Sequence, residues 1–551
     1  MSSLKQLALT NNPGMAGALP SRLADLRRLE GLLAGGTDLC APSDPDFNAW
    51  LDGVHKRRIA SCAEGEPPAA YLTQAVQSRG FPVPLVAGER ALLRVFPTAR
   101  QATSEGIPDV RARFYRNGRE IHVVDIPGKS VPIPTEVDES SLSKSANAEI
   151  PRHVIQPGLE MVVEVDPNGT LDPALGVATR MPAEGRLAVD VRAMPLFDLT
   201  LIPFVWTETN DSSIVDLVNA MAADPRNHEM LEETRTLLPI GDLDVTAHEP
   251  VLSSSNSAFT LLDQTKAIRA MEGGTGHYKG MMSPPVTEAG GIAELPGRSS
   301  FSTPQGSTLA HELGHNMNLQ HAPCAVYGDP SYPYPDGSIG VWGYDFRDGG
   351  SLVPPSRPDL MSYCFQAQWI GDYGLTNALR YRLFDEGGPA AAAAERSLLL
   401  WGGVDADSVP YLEPAFVVEA PAALPDSAGE YQISGRTEAG TLLFALRFAM
   451  PQTADGDGSS SFAFVLPVRP EWEASLASIT LFGPGGSTSL DRDSDLPMAI
   501  LRSPRTEQIR GFLRDPPPAT QAAMDAVGQG TGTRIEVLFS RGIPDAEAWR
   551  R

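Results

Sequence analysis

Apolar and polar positions alternate along most of this chain, and the period of the alternation changes as the chain proceeds. From Tyr71 to about Val191 the period is two. Residues 84–86, 91–96, 110–115, 121–124 and 159–165 are short alternating runs between turn residues, as expected of half-buried strands. Asn117-Gly118 between two of them signals a tight hairpin. From Leu196 the pattern is one of strand and helix in turn. Residues 199–206 are a buried-type strand, and Ile214, Val215, Leu217 and Val218 recur at helical spacing behind Asp211 or Ser212 as cap. Strands near 244–247 and 278–282 bracket a helix near 261–271. Thr303 as N-cap with Pro304 at the first helical position opens a further helix. From about Leu398 strands return at 415–418, 442–448, 461–465 and 478–481. The alanine run at 390–395 reads as the end of a helix. The tail from Pro516 reads as a Pro/Ala linker that finishes in a strand at 534–539.

The first sixty residues follow another rule. Leu4, Leu7, Leu9 and Asn12, then Gly17, Leu19-Pro20, Leu23 and Leu26, form a pattern that Leu29 and Leu32 begin again. It resembles a leucine-rich repeat. Thr37-Asp38-Leu39-Cys40-Ala41-Pro42, Phe47, Trp50-Leu51 and Cys62 resemble the C-terminal cap of extracellular leucine-rich-repeat domains of the plant-like type. That resemblance implies a Cys40–Cys62 disulfide, and either further repeats upstream or support from the next domain, because solenoid units depend on stacked neighbours. The alternative reading is an amphipathic helix over 21–33.

Together these patterns predict a multidomain α+β protein. A short leucine-rich-repeat remnant with its cap covers 1–64 and an immunoglobulin-like antiparallel β-sandwich covers 65–192. A mixed α/β domain spans 193–390, and a C-terminal β-sandwich with its tail spans 391–551. A chain of 551 residues is too long for one core. Its net charge of -24 argues against nucleic acid or anionic membrane as partner, and no apolar run reaches the length of a membrane helix. Four cysteines, Cys40, Cys62, Cys324 and Cys364, suit two disulfides in an oxidising compartment, with four buried thiols as the alternative. No signal peptide opens the chain, which reads as starting inside a longer architecture. The expectation is an extracellular or cell-surface monomer.

The candidate chemistry lies in His311-Glu312-Leu313-Gly314-His315, continuing to His321. Two histidines four apart on a helix share a face and reach one metal ion, with Glu312 placed to hold a water molecule. His321 makes a third ligand and leaves the fourth position open, as in catalytic zinc sites. Zinc held by His311, His315 and His321 would acidify a water molecule, and Glu312 would take its proton and pass it to the leaving amine. His122, His153, His228, His248 and His277 have no partner at ligand spacing.

The segment His311–His321 resembles the zinc-binding consensus of the metzincin metallopeptidases. Asp359-Leu360-Met361-Ser362-Tyr363-Cys364 resembles their Met-turn, with Met361 as a structural floor beneath the metal. The family carries glycine where this chain has Asn318, and asparagine also accepts the left-handed backbone that the turn needs. The resemblance further implies a role for Tyr363 at the metal or the oxyanion, and a Cys324–Cys364 disulfide joining the third-ligand loop to the Met-turn. It also implies an edge strand at Gly291-Ile292-Ala293 that binds extended substrate by sheet addition. Asp455-Gly456-Asp457-Gly458 and the run 491–495 resemble calcium loops, so Ca²⁺ is a second candidate cofactor. Neither completes the twelve-residue ligand pattern, and solvated turns are the favoured reading. The implied function is a secreted or cell-surface zinc endopeptidase acting on proteins or glycoproteins. The rivals are a zinc amidase and an adhesion protein with a vestigial metal site.

Overall fold

In the computed structural model the chain is mixed α+β, rich in strands spread over several sheets and with few helices. The structure describes residues 3–10, 12, 14–42, 44–62, 69–364, 367–387, 393–425, 428–473, 475–516 and 535–550. The chain divides into two units. The first comprises Met1–Leu196, Arg235–Asp242 and Leu319–Glu386, and the second comprises Phe197–Thr234, Leu243–Asn318 and Gly387–Arg551.

In the first unit the N-terminal coil repeats along the chain in parallel ladders. Gln6, Gly31 and Lys56 are successive partners in one parallel ladder. Ala16 pairs with Asp38 and Cys40 with Ala60 in a second. Residues 21–33 do not form one amphipathic helix. A single 3₁₀ turn, Ser21–Asp25, gives way to the strand Gly31–Leu33, and Leu19, Leu29 and Leu32 point into a small core. Phe47 and Leu51 close that core from the helix Pro45–Asp52, which the Asp44 carboxylate caps by accepting from the Asp46 and Phe47 amides. The Cys40–Cys62 disulfide ties the strand Asp38–Ala41 to the end of this coil.

Two antiparallel sheets follow in the same unit. Val110–Arg116 pairs with Arg119–Ile126 and with Leu159–Val165, and Asn117 and Gly118, at φ 51° and 74°, make the hairpin turn. Ala91–Val95 lies between Ala70–Thr73 and Ala146–Ile150. Val110, Ala112 and Phe114 from one sheet share a core with Leu93 and Val95 from the other. The helix Asp372–Phe384 is fixed to the coil by Arg380, which donates from Nε to the His55 carbonyl at 2.9 Å.

The second unit is built on a ten-stranded sheet. Its elements in chain order are β1 (Phe197–Trp206), α1 (Ser213–Ala223), β2 (Leu243–Ala247), β3 (Val251–Ser253), α2 (Ala258–Met271), β4 (His277–Met281), β5 (Gly291–Glu294), β6 (Ser299–Ser302), α3 (Gly306–Asn316), β7 (Thr453–Ala454), β8 (Met498–Arg502), β9 (Ile509–Arg514) and β10 (Glu536–Ser540). The order across the sheet is β7-β5-β6-β4-β1-β3-β9-β8-β10, with β2 also paired to β1. The centre is parallel and both ends are antiparallel. β1 reads as a near-continuous apolar run because both of its faces are covered.

The remaining strands form two further antiparallel sheets around Leu398, Leu400, Phe444, Phe448 and Trp472. The strand Glu395–Val404 serves two cores by its period of two. Leu398 and Leu400 face this one, while Leu399 and Trp401 face the core shared with α2 and the ten-stranded sheet.

Several elements differ from the sequence expectation. α3 starts at Gly306 with Gln305 as N-cap, not at Thr303. Thr303 instead bonds the Gly290 carbonyl through both its amide and its hydroxyl, which fixes the approach to the helix. Met498–Arg502, Ile509–Arg514 and Glu536–Ser540 do not stay with the C-terminal sheets, because β9 pairs in parallel with β3 and carries β8 and β10 into the large sheet. Residues 390–392 of the alanine run and 517–534 of the tail lie outside the described residues.

Candidate metal centre

α3 packs on β5 and β6 with Leu309, Ala310 and Leu313 buried. His311 and His315, one helical turn apart, leave the same face, and their Nε2 atoms stand 3.1 Å from each other. Asn316 anchors the end of the helix. Its Nδ2 donates to the Glu294 carbonyl at 3.0 Å and to the Ser299 carbonyl at 3.1 Å. Asn318 then adopts φ 68° and donates its amide to the His315 carbonyl at 2.9 Å, so the chain leaves the helix by a left-handed turn.

Glu312 is buried and faces β5. The neighbouring strand residue is Gly291, where a Cβ would stand 2.2 Å from Glu312 Oε1. Only glycine lets the carboxylate lie this close to the strand. Burial first, and the facing Asp455 carboxylate second, raise the Glu312 carboxyl well above the usual range, with His311 and Lys279 acting in the opposite direction.

The loop beyond His321 is held by several independent ties. The Asp329 amide donates to the His321 carbonyl at 2.7 Å, and the Ala322 amide donates to the Met361 carbonyl at 2.8 Å. The Tyr363 amide donates to the Cys324 carbonyl at 3.0 Å, and Cys324 is disulfide-bonded to Cys364. Asp359 shapes the turn by accepting from the Met361 amide at 2.9 Å through one oxygen and from the Gly371 amide at 2.9 Å through the other. Met361 is buried. The Tyr363 ring, 41% exposed, lies 5.0 Å from the His321 ring.

Two residues that carry no motif complete the site. Asp455 presents Oδ2 at 2.8 Å from His315 Nε2 and 3.3 Å from His311 Nε2. One ligand atom from each of His311, His315, His321 and Asp455 lies within 4.8 Å of every other. Asp455 is therefore not the solvated turn residue that its Asp-Gly-Asp-Gly context suggests, whereas Asp457 nearby does hold such a turn on the Ser459 amide. Lys279 on β4 is fully buried beside these carboxylates. Burial pulls its amine down to about 7 against the attraction of Glu312 and Asp455.

The strand Gly291-Ile292-Ala293 is not a free edge. Ala293 pairs with Ser300 of β6 on one side and with Ala454 of β7 on the other. The remaining histidines have structural uses. His248 bonds Glu272 at 2.8 Å, His228 accepts from the Met230 amide, and His277 stacks near Phe197. His122 and His153 are ring neighbours at 6.3 Å.

Three imidazoles and a carboxylate are the donor set of zinc, a borderline-soft ion that takes nitrogen and oxygen ligands in fours. Side chains able to hold a metal ion beside a buried glutamate suit a metallopeptidase. In keeping with this, the family model Peptidase M66, a metallopeptidase family, matches residues 267–356. The matched segment begins within α2, carries β4, β5, β6 and α3, and passes beyond His321. No curated protein matches the chain. Among the described residues no helix is long and apolar enough to cross a membrane, and with two disulfides this is compatible with an extracellular protein.

Proposed function

We propose that this chain is a zinc-dependent endopeptidase of the metzincin type, acting outside the cell on proteins or glycoproteins. The observation that carries the reading is the convergence of His311, His315, His321 and Asp455 next to a buried Glu312. His311, His315 and His321 would hold the ion, and Met361 would form the floor of the site. A zinc ion in this place supplies a Lewis acid that polarises a carbonyl and makes water acidic at neutral pH.

Glu312 is the general base. Its carboxylate takes a proton from the attacking water and returns it to the leaving nitrogen. Gly291 sets the distance between that carboxylate and the strand that would run beside the substrate. Tyr363, exposed and near His321, is placed to donate to the developing oxyanion. The stepped parallel ladders and the Cys40–Cys62 bond support reading the N-terminal coil as a leucine-rich-repeat remnant with a positioning role.

Asp455 favours the rival reading, since four protein ligands make a closed, structural site. Glu312 speaks against it, because a structural site needs no base. Cleavage of casein that chelator abolishes, zinc restores and Glu312→Ala lacks is the expected result. Full activity in Glu312→Ala would refute the mechanism, and bound zinc without turnover of any protein, in Asp455→Ala as well as in the wild type, would favour the adhesion reading.

A further inference from the structure

Residues 449–459 connect two strands of the C-terminal sheets, Leu442–Phe448 and Ser460–Pro467. These strands belong to different sheets, and the connection between them reaches to the far edge of the ten-stranded sheet. There β7 adds antiparallel to β5, with Ala454 opposite Ala293 and Thr453 opposite Glu294. The Leu295 amide extends the pairing by donating to the Gln452 carbonyl at 2.9 Å. The next residue, Asp455, adopts φ 64°. This left-handed step turns the chain off the sheet and sends the carboxylate to His315 and His311, where it is 5% exposed. Gly456 follows in close quarters, since a Cβ there would stand 3.1 Å from the Phe259 ring.

A peptide cleaved at this site needs two places. One is the edge of β5, where an extended chain gains its main-chain hydrogen bonds. The other is the space beside His311 and His315 into which the reacting carbonyl must come. One loop of the protein fills both. We propose that residues 449–459 are an intramolecular latch, in which β7 occupies the substrate strand's place and Asp455 the fourth ligand's, so that the folded enzyme is latent until this loop is displaced. The proposal rests on the zinc peptidase reading and adds its regulation.

Two features suit a latch better than a permanent ligand. The strand that holds the loop is only two residues long, so few ladder bonds oppose its release. A cavity of about 670 Å³, lined in part by Ala449–Gln452 and by Leu295 and Pro296 just beyond β5, gives the loop room to swing away. Substrate bound along β5 and β7 bound along β5 exclude each other, so a displacing peptide would itself open the site.

The test uses the full chain loaded with zinc, in a Glu312→Ala background so that turnover plays no part. Asp455→Asn, which keeps the shape of the side chain, and Asp455→Ala are compared with Asp455 intact. Zinc content is read by atomic absorption, and affinity for a tripeptide hydroxamate by calorimetry. The latch predicts one zinc per chain in all three and at least tenfold tighter hydroxamate binding in both variants. It also predicts that hydroxamate bound to the protein with Asp455 intact speeds amide exchange at 452–455. Zinc retained with unchanged affinity overturns the latch. Zinc lost from both variants also overturns it, because Asp455 is then a constitutive ligand. Unchanged affinity in variants whose Glu312-containing counterparts cleave casein overturns the latch alone, whereas tighter binding without casein cleavage by Asp455→Ala carrying Glu312 refutes the peptidase reading and the latch with it. A protein that takes up no zinc at all refutes both.

Discussion

The Glu312 carboxylate lies against the bare backbone of Gly291, at a separation that leaves no room for a Cβ. On the proposed mechanism, one contact between α3 and β5 therefore sets both the base and the strand beside the substrate. Gly291→Ala should push the carboxylate away while leaving the histidines in place. A displacement of about 1 Å at a reacting group costs on the order of 100-fold in rate. We expect kcat to fall by about that factor, with zinc content unchanged. A variant with wild-type kcat would show that Glu312 does not work from this position.

The Cys324–Cys364 disulfide closes the chain between the loop after His321 and the turn at Met361, across a sequence separation of 40 residues. On the chain-entropy model such a link contributes about 4 kcal/mol. Replacing both cysteines by serine should lower the unfolding temperature and weaken zinc binding together, because the Ala322–Met361 and Tyr363–Cys324 backbone bonds lose their clamp. Differential scanning calorimetry and chelator competition on the same preparation read the two effects. Lower stability with unchanged zinc affinity would mean that the disulfide does not support His321.

The helix bearing His311, Glu312 and His315 is readable in the sequence because its histidines repeat with the helical period. The β1 strand is readable because it is apolar throughout. Asp455 is not. It lies far along the chain from His321, in an Asp-Gly-Asp-Gly stretch that looks like any solvated turn, and only the pairing of β7 with β5 brings it home. The joining of β8–β10 to the large sheet is hidden for the same reason, since a strand's sequence records its two faces and not its edge partners. Lys279 did leave a signal. A lysine in the middle of a strand whose every residue is buried needs nearby carboxylates.

Asp263 on α2 accepts a hydrogen bond from the Tyr411 hydroxyl at 2.8 Å. Burial raises its carboxyl to about 6, against the opposing Lys266 charge. The folded pKa thus lies above the unfolded value of about 3.9. Between these values the folded chain keeps a proton that the unfolded chain releases, so this group's contribution to stability falls as pH rises from about 4 to about 6. The slope is at most about 1.4 kcal/mol per pH unit. Asp263→Asn should therefore gain on the wild type across that window and hold a constant advantage above it. Urea midpoints at pH 4, 5, 6 and 7 measure the difference, and parallel curves would exclude Asp263 as the source.

Asn318 decides whether the third histidine is delivered. Its φ of 68° and its amide bond to the His315 carbonyl make the turn that ends α3. A left-handed residue with a Cβ carries a penalty of about 1–2 kcal/mol, smallest for asparagine and absent for glycine. Asn318→Gly should keep or slightly improve zinc affinity, because it removes that penalty without touching a ligand. Asn318→Val, branched at Cβ, should resist the turn. About 1.4 kcal/mol corresponds to a tenfold change in binding, so zinc affinity should fall by about tenfold while His311, His315 and Glu312 stay as they are. Chelator competition on the two variants gives the comparison directly. If Asn318→Val binds zinc as tightly as Asn318→Gly, the left-handed turn is not what brings His321 to the metal, and His321 would have to be held by the Asp329, Met361 and Cys364 ties alone.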